Sequence, residues 1–168
     1  MPARDRLLPS IFDRLTDDEP AVSRPDGDRF SLDLREYRDA VFRDLDALLN
    51  TVTPMAPDDV AGLEAVKGSV LNYGMPALSG GAAMSIDPRA LERRLREVIQ
   101  RYEPRIVAET VKIQVEISPG VMTHRALTFR LDGLLWAQPM PEQIYVKTQL
   151  DLETGHVTLS EAATKERG

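Results

Sequence analysis

The sequence predicts an α+β domain: an antiparallel sheet of three to four strands in the C-terminal half, with helices packed on one face. Three observations carry this expectation. Apolar residues recur at three- and four-residue spacing through residues 31–50, and again through residues 86–102. From residue 111 the spacing shifts to two, the repeat of a half-buried strand. The strand-like stretches are joined by short turns, which favours a meander of sequence neighbours.

The first element is "LLPSIFDRL", where Pro9 and Ser10 suit the start of a helical turn carrying Ile11, Phe12 and Leu15. It is followed by "TDDEPAVSRPDGDRF", whose acids, prolines and glycine read as a flexible linker over residues 16–30. An apolar segment beyond such a linker is either an attachment element or a terminal helix folded back on its own core. The expected organisation is a docking helix over 1–15, the linker, an α+β domain over 31–160 and a tail over 161–168.

In "SLDLREYRDAVFRDLDALLN" the residues Leu34, Tyr37, Val41, Leu45 and Leu48 form one stripe. Ser31 is the expected N-cap, with Asp33 favouring the positive end of the helix. "PDDVAGLEAVKGSVL" is a weaker helical stretch, and Gly74 and Pro76 in "NYGMPAL" demand a turn. The clearest helix is "SIDPRALERRLREVIQRY". Asp87 can cap it, Pro88 fits its first position, and Leu91, Leu95, Val98, Ile99 and Tyr102 share one face. Its other face carries Arg89, Arg93, Arg94, Arg96 and Arg101. The pairs Glu92–Arg96 and Glu97–Arg101 would explain much of that charge as a self-supporting solvated face. The competing reading is a basic surface that meets an acidic partner or nucleic acid.

"VKIQVEI" alternates Val111, Ile113, Val115 and Ile117 with polar residues, and "SPG" supplies a turn. "ALTFRLDGLLW" continues the alternation through Leu127, Phe129 and Leu131, with Gly133 at a bulge or a close contact. "QIYVKTQLDL" and "HVTL", joined by "ETG", complete the sheet. A free edge at "HVTL" or "VKIQVEI" could accept a strand from another protein.

With 168 residues the chain is long enough for one domain with a sizeable core. It has no cysteine, which excludes a disulfide framework and a thiolate zinc site, and His124 and His156 are too few to argue for a metal. No cofactor is expected. A formal net charge of −6 weighs against nucleic-acid binding. Charged residues interrupt every apolar run, so no direct membrane insertion is expected, and Arg and Asp break up the N-terminus as a signal peptide. The expected location is therefore the cytosol.

Catalytic constellations are weak. Glu103 could serve as a general acid only opposite a second carboxylate, and nothing in the spacing of Asp132, Glu142 or Asp151 singles out a partner. Ser118 and Ser160 stand in no nucleophile elbow, and "YGMPALSGG" lacks the lysine of a phosphate loop. In "RYEPRI", Pro104 disfavours a helical Glu103, so the helix should end there and Arg105 should project from a rigid corner. A guanidinium so placed can fork onto a carboxylate. The corner is structural, partner-binding or, least of all, catalytic.

The ordered series "LLPSIFDRL", "SVLNYGMPAL", "IQRYEPRI", "LTFRLDGLL" and "PEQIYVKTQLDLETG" resembles the TssE family of type VI secretion baseplate subunits. That family sits within the contractile phage-tail baseplate wedge proteins, which also carry a lysozyme-related label. The resemblance implies a non-enzymatic assembly subunit in a cytoplasmic baseplate near the inner membrane, contacting other wedge subunits and seeding the contractile sheath. It places the family's Glu-Pro-Arg motif on Glu103, Pro104 and Arg105, as partner-binding residues. Ile11, Phe12 and Leu15 then become anchors of a docking helix. The alternative is a peptidoglycan-cleaving, lysozyme-like hydrolase.

Overall fold

The computed structural model describes residues 7, 9–15, 32–55, 59–77, 87–116, 126–137 and 140–161; the side chain of Phe12 is outside that set. The expected linker over 16–30, Ser31, Ile117, the "SPG" turn with Ser118, His124 and residues 162–168 of the tail also lie outside the described residues.

Helix α1 (Ile11–Leu15) is opened by Ser10. The Ser10 hydroxyl accepts from the Asp13 amide at 3.2 Å, and the Asp13 carboxylate accepts from the Ser10 amide at 3.3 Å. Helix α2 (Leu34–Asn50) is capped by Asp33, which corrects the expectation of Ser31. The reason is a reciprocal pair: the Asp33 carboxylate accepts from the Glu36 amide at 2.8 Å, and the Glu36 carboxylate accepts from the Asp33 amide at 2.9 Å. Leu34, in the first turn, is 43% exposed and falls off the expected stripe. Tyr37, Val41, Leu45 and Leu48 are buried on it, joined by Ala40 and Leu49.

The weaker helical stretch shrinks to α3 (Glu64–Lys67) and a 3-10 turn over Val70–Asn72. Gly62, at φ +78°, and Gly68, at the C-cap, bracket the short helix. Beyond it the chain doubles back beneath the end of α2. Gly74 makes this possible: its φ is +113°, and a Cβ there would stand 2.4 Å from the Thr51 carbonyl oxygen. Met75 thereby donates to Thr51 and accepts from Thr53, each at 2.8 Å.

Helix α4 (Pro88–Tyr102) has Asp87 as N-cap and Pro88 in its first turn, and it buries Leu91, Leu95, Val98 and Ile99. The two expected ion pairs on its outer face are not formed. Glu92 instead accepts from the Val115 amide at 2.9 Å, Glu97 lies 3.5 Å from Arg94, and Arg101 donates to the Lys67 carbonyl at 2.8 Å. A fixed, long-range acceptor or donor outcompetes a surface pair worth only a few tenths of a kcal/mol, roughly.

Strands β1 (Lys112–Glu116), β2 (Ala126–Leu135), β3 (Glu142–Asp151) and β4 (Val157–Glu161) form one antiparallel sheet in sequence order. The last strand runs one residue past the expected domain boundary. In register, Ile113, Leu131 and Val146 share a row, as do Val115, Phe129 and Thr148; this face packs on the helices. The alternate rows, including Lys112, Asp132 and Tyr145, form the opposite face. Pairing continues through Gly133, so there is no bulge; the glycine answers a close contact, since a Cβ would meet Ile106 Cγ2 at 2.9 Å. The edge strands are β1 and β4. Asn50 at the end of α2 both donates to and accepts from the Val157 backbone, at 2.9 Å each, so a side-chain amide imitates a neighbouring strand on that edge.

Candidate functional site

Glu103 is the C-cap of α4, and its amide still donates to the Ile99 carbonyl at 2.9 Å. Pro104 then turns the chain, and the Ile106 amide closes the turn on the Glu103 carbonyl at 3.2 Å. The far side of the turn is stitched to the end of β2: Val107 donates to Leu134 at 2.8 Å, and Trp136 donates to Arg105 at 2.7 Å. The corner is therefore fixed from both sides before any side chain is considered.

The two charged side chains of the corner face each other. Glu103 is only 3% exposed, and Arg105 Nε donates to its Oε1 at 2.7 Å while Nη2 donates to Oε2. The Arg105 amide adds a third bond to Oε1, at 3.1 Å. Sequence reasoning has both residues reaching outward, whereas the fold turns Glu103 inward and leaves Pro104 exposed. Arg105 Nη2 also donates to Asp44 Oδ2 on α2 at 2.6 Å. Burial alone would lower the Arg105 pKa; the hydrogen bonds and charges of Glu103 and Asp44 outweigh it and raise it. Nη1 has no acceptor among the described residues.

The charge network continues to the N-terminal helix. Asp44 Oδ1 accepts from Arg43 Nη2 at 2.9 Å, and the same nitrogen lies 2.6 Å from Asp13 Oδ1. Alternating charges thus run from Asp13 through Arg43, Asp44 and Arg105 to Glu103. Burial pushes the Asp13 carboxyl up, but hydrogen bonds from Ser10 and Arg43, with the Arg43 charge, hold it below its ordinary value. The Arg43 pKa is raised, chiefly through its hydrogen bond to Asp44. Burial raises the Tyr37 and Tyr73 hydroxyl pKa values, and for Tyr73 the nearby Asp44 and Glu103 charges raise it further.

Two groups of residues expected from the sequence are therefore connected: the Glu103–Arg105 corner and the N-terminal helix. On α1, Ile11 is 76% and Leu15 80% exposed. Immediately before α1, Leu7 is buried with Tyr37 and Ala137, and its carbonyl accepts from the Leu32 amide at 2.9 Å. Asp13, Arg43, Asp44 and Trp136 are the participants that sequence reasoning missed. Asp44 lies far from Arg105 in the chain, and no local pattern marks it; Trp136, 53% exposed beside Arg105, is the single tryptophan and could have drawn notice as an exposed aromatic.

Two of the candidate catalytic partners, Glu142 and Asp151, are engaged elsewhere, and Asp132 is not paired with Glu103. Glu142 Oε1 accepts from Arg38 at 3.1 Å, Asp151 accepts from the Glu153 and Thr154 amides, and Asp132 stands on the sheet face opposite the helices. The Ser160 hydroxyl donates to the Lys147 carbonyl. Among the described residues, no group of three or more His, Cys, Asp or Glu side chains could hold a metal, and no helix is long and apolar enough to cross a membrane.

The family model of baseplate wedge protein gp25 matches residues 35–140, well over half of the chain and a span that contains the corner, β1 and β2. Comparison with curated proteins and with solved structures finds no match.

Proposed function

The chain belongs to the baseplate wedge protein gp25 family, which includes TssE, and from this membership we propose that it is a non-enzymatic subunit of a type VI secretion baseplate. In this reading it joins the other wedge subunits in the cytoplasm, near the inner membrane, and seeds assembly of the contractile sheath. Its partner-binding residues are Glu103, Pro104 and Arg105, with Glu103 acting through Arg105 rather than touching the partner, and Ile11, Phe12 and Leu15 on the N-terminal helix.

The observation that carries the reading is the state of Arg105. Its Nε and Nη2 are fixed by Glu103 and Asp44, while Nη1 has no acceptor among the described residues. A guanidinium already ordered by its own chain loses little side-chain entropy when a further acceptor arrives. Glu103 is a positioning residue here and acts on a partner through Arg105. The same arrangement argues against hydrolysis, because Glu103 is buried and both its oxygens are engaged by the guanidinium.

The test is sheath assembly in cells. With the gene deleted, a fluorescent sheath subunit should fail to form extended structures, and the wild-type chain should restore them. Normal sheaths in the deletion strain would overturn the proposal.

A further inference from the structure

The outer face of α4 carries a charge that none of the described residues answers. Arg89, Arg93 and Arg96 recur at i, i+4 and i+7, so they lie on one side of the helix over about 10 Å of its axis. Other arginines find partners: Arg38 with Glu142 and Glu161, Arg43 with Asp13 and Asp44, Arg94 with Glu97, Arg105 with Glu103 and Asp44, and Arg130 with Glu116. The three in the stripe have none among the described residues. Their obvious local partner, Glu92, is spent on the Val115 amide. Arg96 is half-buried, with its Nε shut off from solvent and without an acceptor. Its head is thus partly immobilised, whereas Arg89 and Arg93 are exposed.

From this we infer that the Arg89–Arg93–Arg96 stripe is a docking surface for an acidic helix of another protein, one presenting Asp or Glu at matching three- and four-residue intervals. Each guanidinium offers a planar fork to a carboxylate, and facing helices repeat their side chains at the same interval. Nucleic acid fits less well. The chain as a whole carries −6, which repels a polyanion at long range, and the stripe has no interleaved aromatic on which bases could stack. This surface is separate from the Glu103–Arg105 corner, and the inference does not depend on which assembly the chain enters.

The experiment places a photo-cross-linking amino acid at the exposed Ala90 position of the full chain, in the cells that normally make it. Cross-linked peptides are then mapped by mass spectrometry. The expected product is a segment of another protein with three or more Asp or Glu residues within two helical turns, and a cross-link confined to this chain's own acidic residues overturns the inference. Its yield should fall at least about tenfold in the Arg89→Glu/Arg93→Glu variant and return with Arg89→Lys/Arg93→Lys, because a charge-dependent contact follows the sign of the side chain. Both substituted residues are exposed, and circular dichroism of the purified variants checks the fold. Cross-linking to nucleic acid, to lipid or to a segment poor in acids overturns the inference, as does a yield unmoved by charge reversal or no cross-link. The acidity of the captured segment tests the stripe, and the identity of its protein separately tests the baseplate assignment.

Discussion

Asp44 on α2 reaches Arg105, beyond the end of α4, at 2.6 Å, and so joins two helices through the guanidinium that Glu103 already holds from below. The relationship ranks the roles of the corner. Glu103 is the buried charge, Arg105 the cation that makes its burial tolerable, and Asp44 the link onward through Arg43 to Asp13 on the N-terminal helix.

Removing only the cation should therefore be costly. Arg105→Ala leaves the Glu103 carboxylate buried and uncompensated, and is expected to destabilise the fold by about 3 kcal/mol. Glu103→Leu/Arg105→Met removes both charges and should restore most of that stability. Urea denaturation of the two variants checks the order.

Gly74 should not tolerate a side chain. Gly74→Ala must place a Cβ 2.4 Å from the Thr51 carbonyl oxygen at φ +113°, so a loss of about 2 kcal/mol or more is expected. Thermal unfolding reads it, and the Met75 amide should lose its protection against hydrogen exchange.

Asn50→Ala deletes both bonds to the Val157 backbone and should destabilise by about 1–2 kcal/mol. It also uncovers part of the β4 edge, so self-association should increase. Analytical ultracentrifugation at rising concentration measures this, and an unchanged monomer with unchanged stability would contradict the protective role.

The tether of α1 should depend on acid. The Asp13 pKa is depressed in the fold, so its contribution is present above its unfolded value of about 3.9 and is lost as pH falls through the lower folded value. Hydrogen exchange of the α1 amides, corrected for intrinsic rates, should accelerate below about pH 4, and Asp13→Asn should remove that dependence.

Much of this fold is legible in the sequence because it rests on local periodicity. The α4 stripe with Asp87 and Pro88, and the alternation through Ile113, Phe129 and Leu131, each follow from spacing alone. Cap choice is less decisive, since Ser31 and Asp33 are both good capping residues and only Asp33 stands three residues before a glutamate. Charged side chains are the least legible. Glu92 could reach Arg96 in its own helix, yet it turns to the Val115 amide, a choice visible only once β1 lies beside α4. The proline of the corner is plain in the sequence, whereas the Asp44–Arg105 contact is a product of tertiary packing. Phe12, expected as a docking anchor, has its side chain outside the described residues.

The central claim is that Arg105 is a contact residue and not only the counter-ion of Glu103. The most direct measurement is a pull-down of baseplate and sheath subunits by the tagged wild type and by the Glu103→Leu/Arg105→Met variant, after confirming that both are equally folded. The account predicts that the folded variant loses those subunits by at least about tenfold, the value of one charge-assisted contact of roughly 1.4 kcal/mol or more. Equal recovery by both proteins would contradict it, leaving the corner as an internal brace.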